Sequence, residues 1–458
     1  MGLSLCLMSH AKSSSEAADA LAINGGSKVR NAPWPPRKLF GKEEKAAVMD
    51  LFDKAIEEGS HILGYNGPEE EAYTKAFAEF LGGGYADAVN SGTNAVLVAV
   101  RALELEPGSE VIVPPLSDPG GIMPVVLSGL IPVPADAAPG SYNTSAEQIA
   151  ACISPRTRAI MVAHISGMPV DMDPVLELAE KHGLPVIEDV AQSHGAKYKG
   201  RMCGTLGTIA AFSTMFGKQH STGGQGGVVF TRDEEVYWRI RRHSDRGKPF
   251  GKDLGTGAGV GVGVAASRGN NLVPAGNHNM DEIHAAIGKV QIKRLPGFIE
   301  QRRKVARGIA VGIADLKTVG LEWNPPCAGC PNRATATPGD PCSAGCEGSF
   351  WFLMFHWRQE ACTVDKQTYL EALAAEGVGV TPTYFFVPVR QPWALKEAFV
   401  SPVTGKPADP HPGAVPLPNA EATDASHFVL NIHEGFGENE VRDVVTALEK
   451  VDRAFARG

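Results

Sequence analysis

Apolar residues recur along this chain at two different spacings, and the change from one to the other predicts its architecture. Within residues 41–58, Ala47, Val48, Leu51, Phe52, Ala55 and Ile56 keep the three-and-four spacing of a helix face. Tyr73, Phe77, Phe80 and Leu81 repeat it within 69–81. Two amphipathic helices are therefore expected first. Short apolar, β-branched runs then alternate with helical stretches: strands at 86–90, 111–114, 131–134, 159–163 and 185–188, helices at 94–103, 120–127 and 174–182, and strands at 209–213 and 227–231. Strand and helix in turn over about 150 residues argue for a mainly parallel sheet covered on both faces. Sheets of this kind bind ligands at the carboxyl ends of their strands.

Past residue 247 the pattern changes to a glycine-rich stretch, 251–276, with Gly255, Gly257, Gly259, Gly261 and Gly263 at alternate positions. No strand leads into it and no helix opens from it, so it reads as a loop and not as a phosphate cradle. Helices are expected at 280–295 and 297–316, followed by strands at 350–355 and 428–431 and helices at 365–376 and 438–455. The implied division is a tail at 1–20, a large α/β domain at 21–295, and a small C-terminal α/β domain at 296–458 with a cysteine-rich insertion at 327–346.

Composition narrows the function classes. With 458 residues, 43% hydrophobic and 21% charged, the balance is that of a soluble globular chain. The net charge of −8 argues against a broad nucleic-acid or anionic-membrane footprint, so any anion site is local. No run reaches the roughly 18 apolar residues of a spanning helix. Eight cysteines are too few to staple a chain of this length, which favours a reducing, cytoplasmic setting.

Three strand ends carry chemistry. Asn90-Ser91-Gly92-Thr93-Asn94 joins a strand to a helix start, where backbone N–H groups and the helix dipole favour a phosphate, although Ser91 or Thr93 also suits an ordinary helix cap. Glu188-Asp189-Val190-Ala191-Gln192-Ser193-His194 ends an apolar strand in acid, amide and imidazole groups. Lys218 follows the strand ending at Phe212-Ser213 and precedes the glycine loop at 223–227, the setting of a desolvated amine nucleophile; alone, it reads first as a surface charge. Together, phosphate site, acid and lysine are the three anchors that pyridoxal phosphate needs for its phosphate, ring nitrogen and aldehyde carbon.

The order of these segments resembles the DegT/StrS-type sugar aminotransferase family of fold-type I pyridoxal-phosphate enzymes. The likeness also rests on Asn24-Gly25-Gly26, Pro33-Trp34-Pro35, residues 107–114 and 155–160, His164 with Gly167, Asn277-His278-Asn279-Met280, residues 282–288, Pro418-Asn419-Ala420 and residues 430–433. The resemblance implies a seven-stranded, mainly parallel sheet with a smaller α/β domain, a homodimer with shared active sites, and ping-pong transfer of an amino group. The donor would be glutamate or glutamine, and the acceptor a keto sugar nucleotide or keto cyclitol.

Residue by residue, the resemblance makes Lys218 the Schiff-base lysine and Asp189 the partner of the pyridine nitrogen. Gln192 would meet the phenolic oxygen, while Gly92, Thr93 and Ser213 hold the phosphate. Asn277 would reach the neighbouring subunit's phosphate.

The chain departs from the family where Thr and a ring-stacking aromatic give way to Ser117-Asp118, followed by Pro119-Gly120-Gly121, so the stacking partner is expected to be missing there. Asp118, His164, His194, Arg242 and His243 are candidate substrate contacts, with Arg246 beside them. Cys327, Cys330, Cys342 and Cys346 have spacings that suit a structural zinc, or else disulfides or free thiols. A lyase or dehydratase using the same cofactor, and a non-catalytic regulator that keeps the fold, stay open as alternatives.

Overall fold

The computed structural model describes residues 20–250, 271–321, 337–384, 390–392 and 412–457. In chain order the elements are α1 (Lys42–Glu58), α2 (Pro68–Phe80), β1 (Tyr85–Val89), α3 (Gly92–Ala102), β2 (Glu110–Val113), α4 (Pro119–Leu127), β3 (Ile131–Pro134), α5 (Ala146–Ala150), β4 (Thr157–Ala163), α6 (Met172–His182) and β5 (Val186–Asp189). A two-residue hairpin, β6 (Lys197–Tyr198) and β7 (Arg201–Met202), precedes β8 (Ile209–Ser213), β9 (Gly227–Thr231), α7 (Glu234–Ser244) and α8 (Glu282–Gly312). The remaining elements are β10 (Val319–Leu321), β11 (Phe352–Trp357), α9 (Lys366–Ala375), α10 (Pro418–Ser426), β12 (His427–Asn431) and α11 (Glu438–Phe455).

Seven strands form one sheet in the order β1-β9-β8-β5-β4-β2-β3, parallel except that β9 runs against both neighbours. Its strands are apolar almost throughout because both faces are covered. Ala95, Val98, Ile122, Val125 and Ile240, from α3, α4 and α7, cover one side. On the other, α2 and α8 bring Tyr73, Phe77, Leu295 and Ile299 against Ala88, Ala210 and Phe212. A separate core surrounds the antiparallel sheet β10-β11-β12, built from α8, α9 and α11 through Val305, Ile309, Leu373, Val444 and Leu448. Leu21 belongs to this second core, and Arg30 pairs there with Glu440 and Asp443, so the start of the described chain packs on the smaller layer.

One expectation needs correction. The two helices expected at 280–295 and 297–316 are one, α8, running through Pro296. Proline removes one backbone bond, but Ile292, Leu295 and Ile299 are all buried, and their burial on the sheet holds both halves in line. The boundary expected between 295 and 296 therefore falls inside a continuous helix. Helix α1 forms as expected, yet Met49, Phe52 and Ile56 stay exposed, Ile56 at 79%, while Leu51 turns inward. Residues 1–19 and 251–270, the expected tail and most of the glycine-rich loop, lie outside the described residues.

Candidate active site

The carboxyl ends of β1, β8 and β5 open on a cavity of about 250 Å³. From β1 the chain turns at Ser91, whose Oγ accepts the Asn94 N–H at 3.1 Å and so caps α3. This leaves the first helical N–H groups, on Gly92 and Thr93, without intrahelical partners at the cavity wall. Gly92 is there because nothing larger fits: a Cβ would stand 2.5 Å from the Cβ of Ser213, the last residue of β8. At the other end β5 delivers Asp189, and the turn after β8 brings in Lys218.

The electrostatics follow from depth. Burial pushes the Asp189 carboxyl above its ordinary range, against the Ala191 N–H that it accepts at 2.9 Å and the attraction of Lys218. Burial pulls the Lys218 amine down to about 8, against Asp189 and Asp118. Its Nζ lies 3.8 Å from the ring centroid of Trp351. The cavity thus combines a dry carboxyl group, an amine that gives up its proton more readily than a free lysine, and a helix N-terminus that attracts anions.

The model of the DegT/DnrJ/EryC1/StrS aminotransferase family matches residues 43–449. The chain belongs to that family. It is 31% identical over 445 residues to the L-glutamine:2-deoxy-scyllo-inosose aminotransferase of Streptomyces lividus, covering 95% of this chain and 98% of that protein. GDP-perosamine synthase of Caulobacter vibrioides is 31% identical over 380 residues, 83% of this chain and 89% of the relative. Among solved structures, an aminotransferase from Psychrobacter cryohalolentis superposes with a TM-score of 0.75 at 28% identity, covering 91% of this chain and 98% of that one.

In this aminotransferase the structure brings Gly92, Thr93, Asp118, Asp189, Ser213 and Lys218 to one cavity. Gln192 is buried beside them: its Oε1 accepts the Ser166 N–H at 2.8 Å and its Nε2 donates to the Tyr384 hydroxyl. Asp118 caps α4, accepting the Gly120 N–H at 2.9 Å, and Gly120 and Gly121 complete that wall, so α4 presents no aromatic ring to the cavity. Asn277 is exposed, its Oδ1 accepting from Asn279 at 2.7 Å.

Four candidate substrate contacts are not brought to this cavity. His164 uses both ring nitrogens inside the protein: Nδ1 accepts the Val170 N–H at 3.0 Å and Nε2 donates to Glu188 at 3.0 Å. Although burial would raise the Glu188 carboxyl, His164 and the N–H groups of Gly204, Leu206 and Gly207 hold it below the carboxylate range. His194 donates to the Ser213 carbonyl at 2.9 Å, and burial drives its imidazole down to about 4, so it is neutral and structural. Arg242 and His243 lie on α7 near Glu104, at 3.3 and 3.8 Å, where His243 lines a different depression. Arg246 pairs with Asp245 at 2.9 Å.

Cys327 and Cys330 lie outside the described residues. Cys342 and Cys346 are buried, with the Cys346 N–H directed at the Cys342 sulfur at 3.3 Å. Among the described residues no group of three or more metal-ligating side chains occurs. Sequence reasoning missed Trp351, Tyr384 and Arg37, which reach the Lys218 and Gln192 segments from more than a hundred positions away along the chain.

Proposed function

We propose that this chain is a pyridoxal-phosphate-dependent aminotransferase that moves an amino group from glutamate or glutamine to the keto group of a sugar nucleotide or a cyclitol. The carrying observation is the meeting of Lys218, Asp189 and the α3 N-terminus in one cavity. The residues present fit the cofactor. Gly92, Thr93 and Ser213 offer N–H and hydroxyl donors to a phosphate, and the buried Asp189 carboxyl suits a protonated pyridine nitrogen.

When bound, the cofactor supplies an aldehyde for amine exchange and a ring that accepts the electrons left by a departing Cα proton. Asp189 would keep the ring nitrogen charged, and Gln192, held by Ser166 and Tyr384, would offer its remaining Nε2 hydrogen to the phenolic oxygen.

The sugar or cyclitol class of acceptor is supported by the names of the two relatives above. A homodimer, with Asn277 reaching the partner's phosphate site, is supported by the unburied apolar residues Phe40, Met49, Phe52 and Ile56, and by Phe216, 63% exposed two residues from Lys218. The cytoplasmic setting rests on the scarcity of cysteine. A structural zinc on Cys327, Cys330, Cys342 and Cys346 rests on the spacing of the four cysteines alone, and metal analysis of the purified protein decides it.

The functional test is a half-reaction. Cofactor-loaded protein given glutamate or glutamine alone is expected to release about one 2-oxo acid per subunit, with turnover only when a keto acceptor is added. Release with neither donor overturns the reading. Asp118 on the cavity wall favours a second one, loss of a β-hydroxyl as water from an amino substrate by a lyase, which would release ammonia and a deoxy keto product with no keto acceptor present.

A further inference from the structure

Lys218 sits on a turn whose three successive carbonyls are held by side chains from elsewhere in the chain. The Arg37 guanidinium donates to Phe216 O at 3.0 Å and to Lys218 O at 2.7 Å, and the Trp351 indole N–H donates to Gly217 O at 2.9 Å. These donors are themselves tied together. Arg37 Nε donates to Glu434 at 2.7 Å, Glu434 accepts from Arg302 at 3.0 Å, and Arg302 donates to the carbonyls of Phe350 at 3.0 Å and Trp351 at 3.2 Å. The ring of contacts closes where the Trp351 indole lies against Lys218 Nζ. Arg302 is 1% exposed and Glu434 9%, so that end of the network is shielded from solvent, while the Arg37 contact to the Phe216 carbonyl is exposed.

We infer that Arg37, Glu434, Arg302 and Trp351 form a clamp that positions the lysine turn, making the setting of the Lys218 amine depend on how the β10-β11-β12 layer docks on the seven-stranded sheet. The turn belongs to the large sheet, whereas Trp351 and Glu434 adjoin β11 and β12, and Arg302 lies on the half of α8 that serves the second core. A guanidinium is suited to this place because its planar fork reaches two carbonyls and one carboxylate together; a lysine ammonium on a flexible stem does not hold all three in fixed geometry. None of the four is a catalytic residue. The inference rests on the proposed role of Lys218, but its test reads the amine in cofactor-free protein.

The probe is reductive methylation of Lys218 with formaldehyde and cyanoborohydride, followed by peptide mass mapping across pH. Glu434→Gln and Trp351→Phe are the deciding variants, because simple charge effects oppose the clamp in both. Removing an anion, or weakening the ring's attraction for a cation, lowers the pH midpoint of an amine. A loosened turn lets Nζ reach water and raises it, here by about one pH unit. Arg37→Lys is expected to give a smaller rise. Lys199→Ala, which removes a surface pair with Asp173, is expected to give none. Midpoints that stay or fall in Glu434→Gln and Trp351→Phe proteins melting like the parent overturn the clamp; if either variant melts early, Arg37→Lys decides by the same criterion. Labelling of a lysine other than Lys218 by the cofactor would sink the functional reading while leaving these midpoints interpretable.

Discussion

Replacing Lys218 with methionine should stabilise the cofactor-free protein, and the size of that gain should depend on pH in a defined direction. The amine is buried, and its fall from 10.5 to about 8 corresponds to roughly 3 kcal/mol at about 1.36 kcal/mol per pH unit. The sign follows from proton counting. Below pH 8 the amine is charged in both folded and unfolded chains, and the folded chain bears the full cost of the dry ammonium. Between 8 and 10.5 the unfolded chain binds the proton and the folded one does not, so raising the pH stabilises the parent. At pH 9.5 rather less than half of the penalty remains, and above 10.5 none does. Methionine keeps an unbranched apolar chain against Trp351 and carries no charge to desolvate. Urea titrations of both proteins at pH 7 and 9.5 should therefore show Lys218→Met ahead at pH 7, with the gap narrowing by about 2 kcal/mol at the higher pH. A gap that does not change with pH would refute the claim that burial governs this amine.

Other substitutions probe the rest of the site. Gly92→Ala places a Cβ about where Ser213 already stands, and the strain, about 1–3 kcal/mol, should weaken cofactor binding roughly five- to hundredfold in an equilibrium titration. Glu188→Ala strands the His164 ring and three backbone N–H groups, and should cost about 3–5 kcal/mol of stability in urea although Glu188 does not line the cavity. The pair Phe52→Asp and Ile56→Asp should weaken self-association at least about a hundredfold in sedimentation equilibrium, since both side chains stay exposed among the described residues of one chain. An unchanged dissociation constant would remove α1 from the proposed interface.

The alternation of strands and helices from 86 to 231 was legible because each buried strand must be apolar on both faces, and the sheet forms where that pattern lies. Gly92, Asp189, Ser213 and Lys218 were legible as well, since strand ends in such a sheet converge and the backbone carries these residues there directly. His164 was not: its position after β4 suggested a cavity residue, but its partners, Glu188 and the Val170 N–H, come from register and local turn geometry that spacing does not encode. Nor did the pattern reveal which way α1 would face, because apolar spacing is the same for a face buried in the chain and one left for another molecule. Pro296 read as a stop signal, yet burial on both sides of it outweighs one missing hydrogen bond. Trp351 and Arg37 lay beyond any local signal, since each acts across more than a hundred residues.

The most direct test of the central claim is chemical. Protein incubated with pyridoxal phosphate, reduced with borohydride and digested should carry the cofactor's added mass on the peptide containing Lys218. Its appearance on a different lysine, or on none, would contradict the assignment of this cavity as an aminotransferase site.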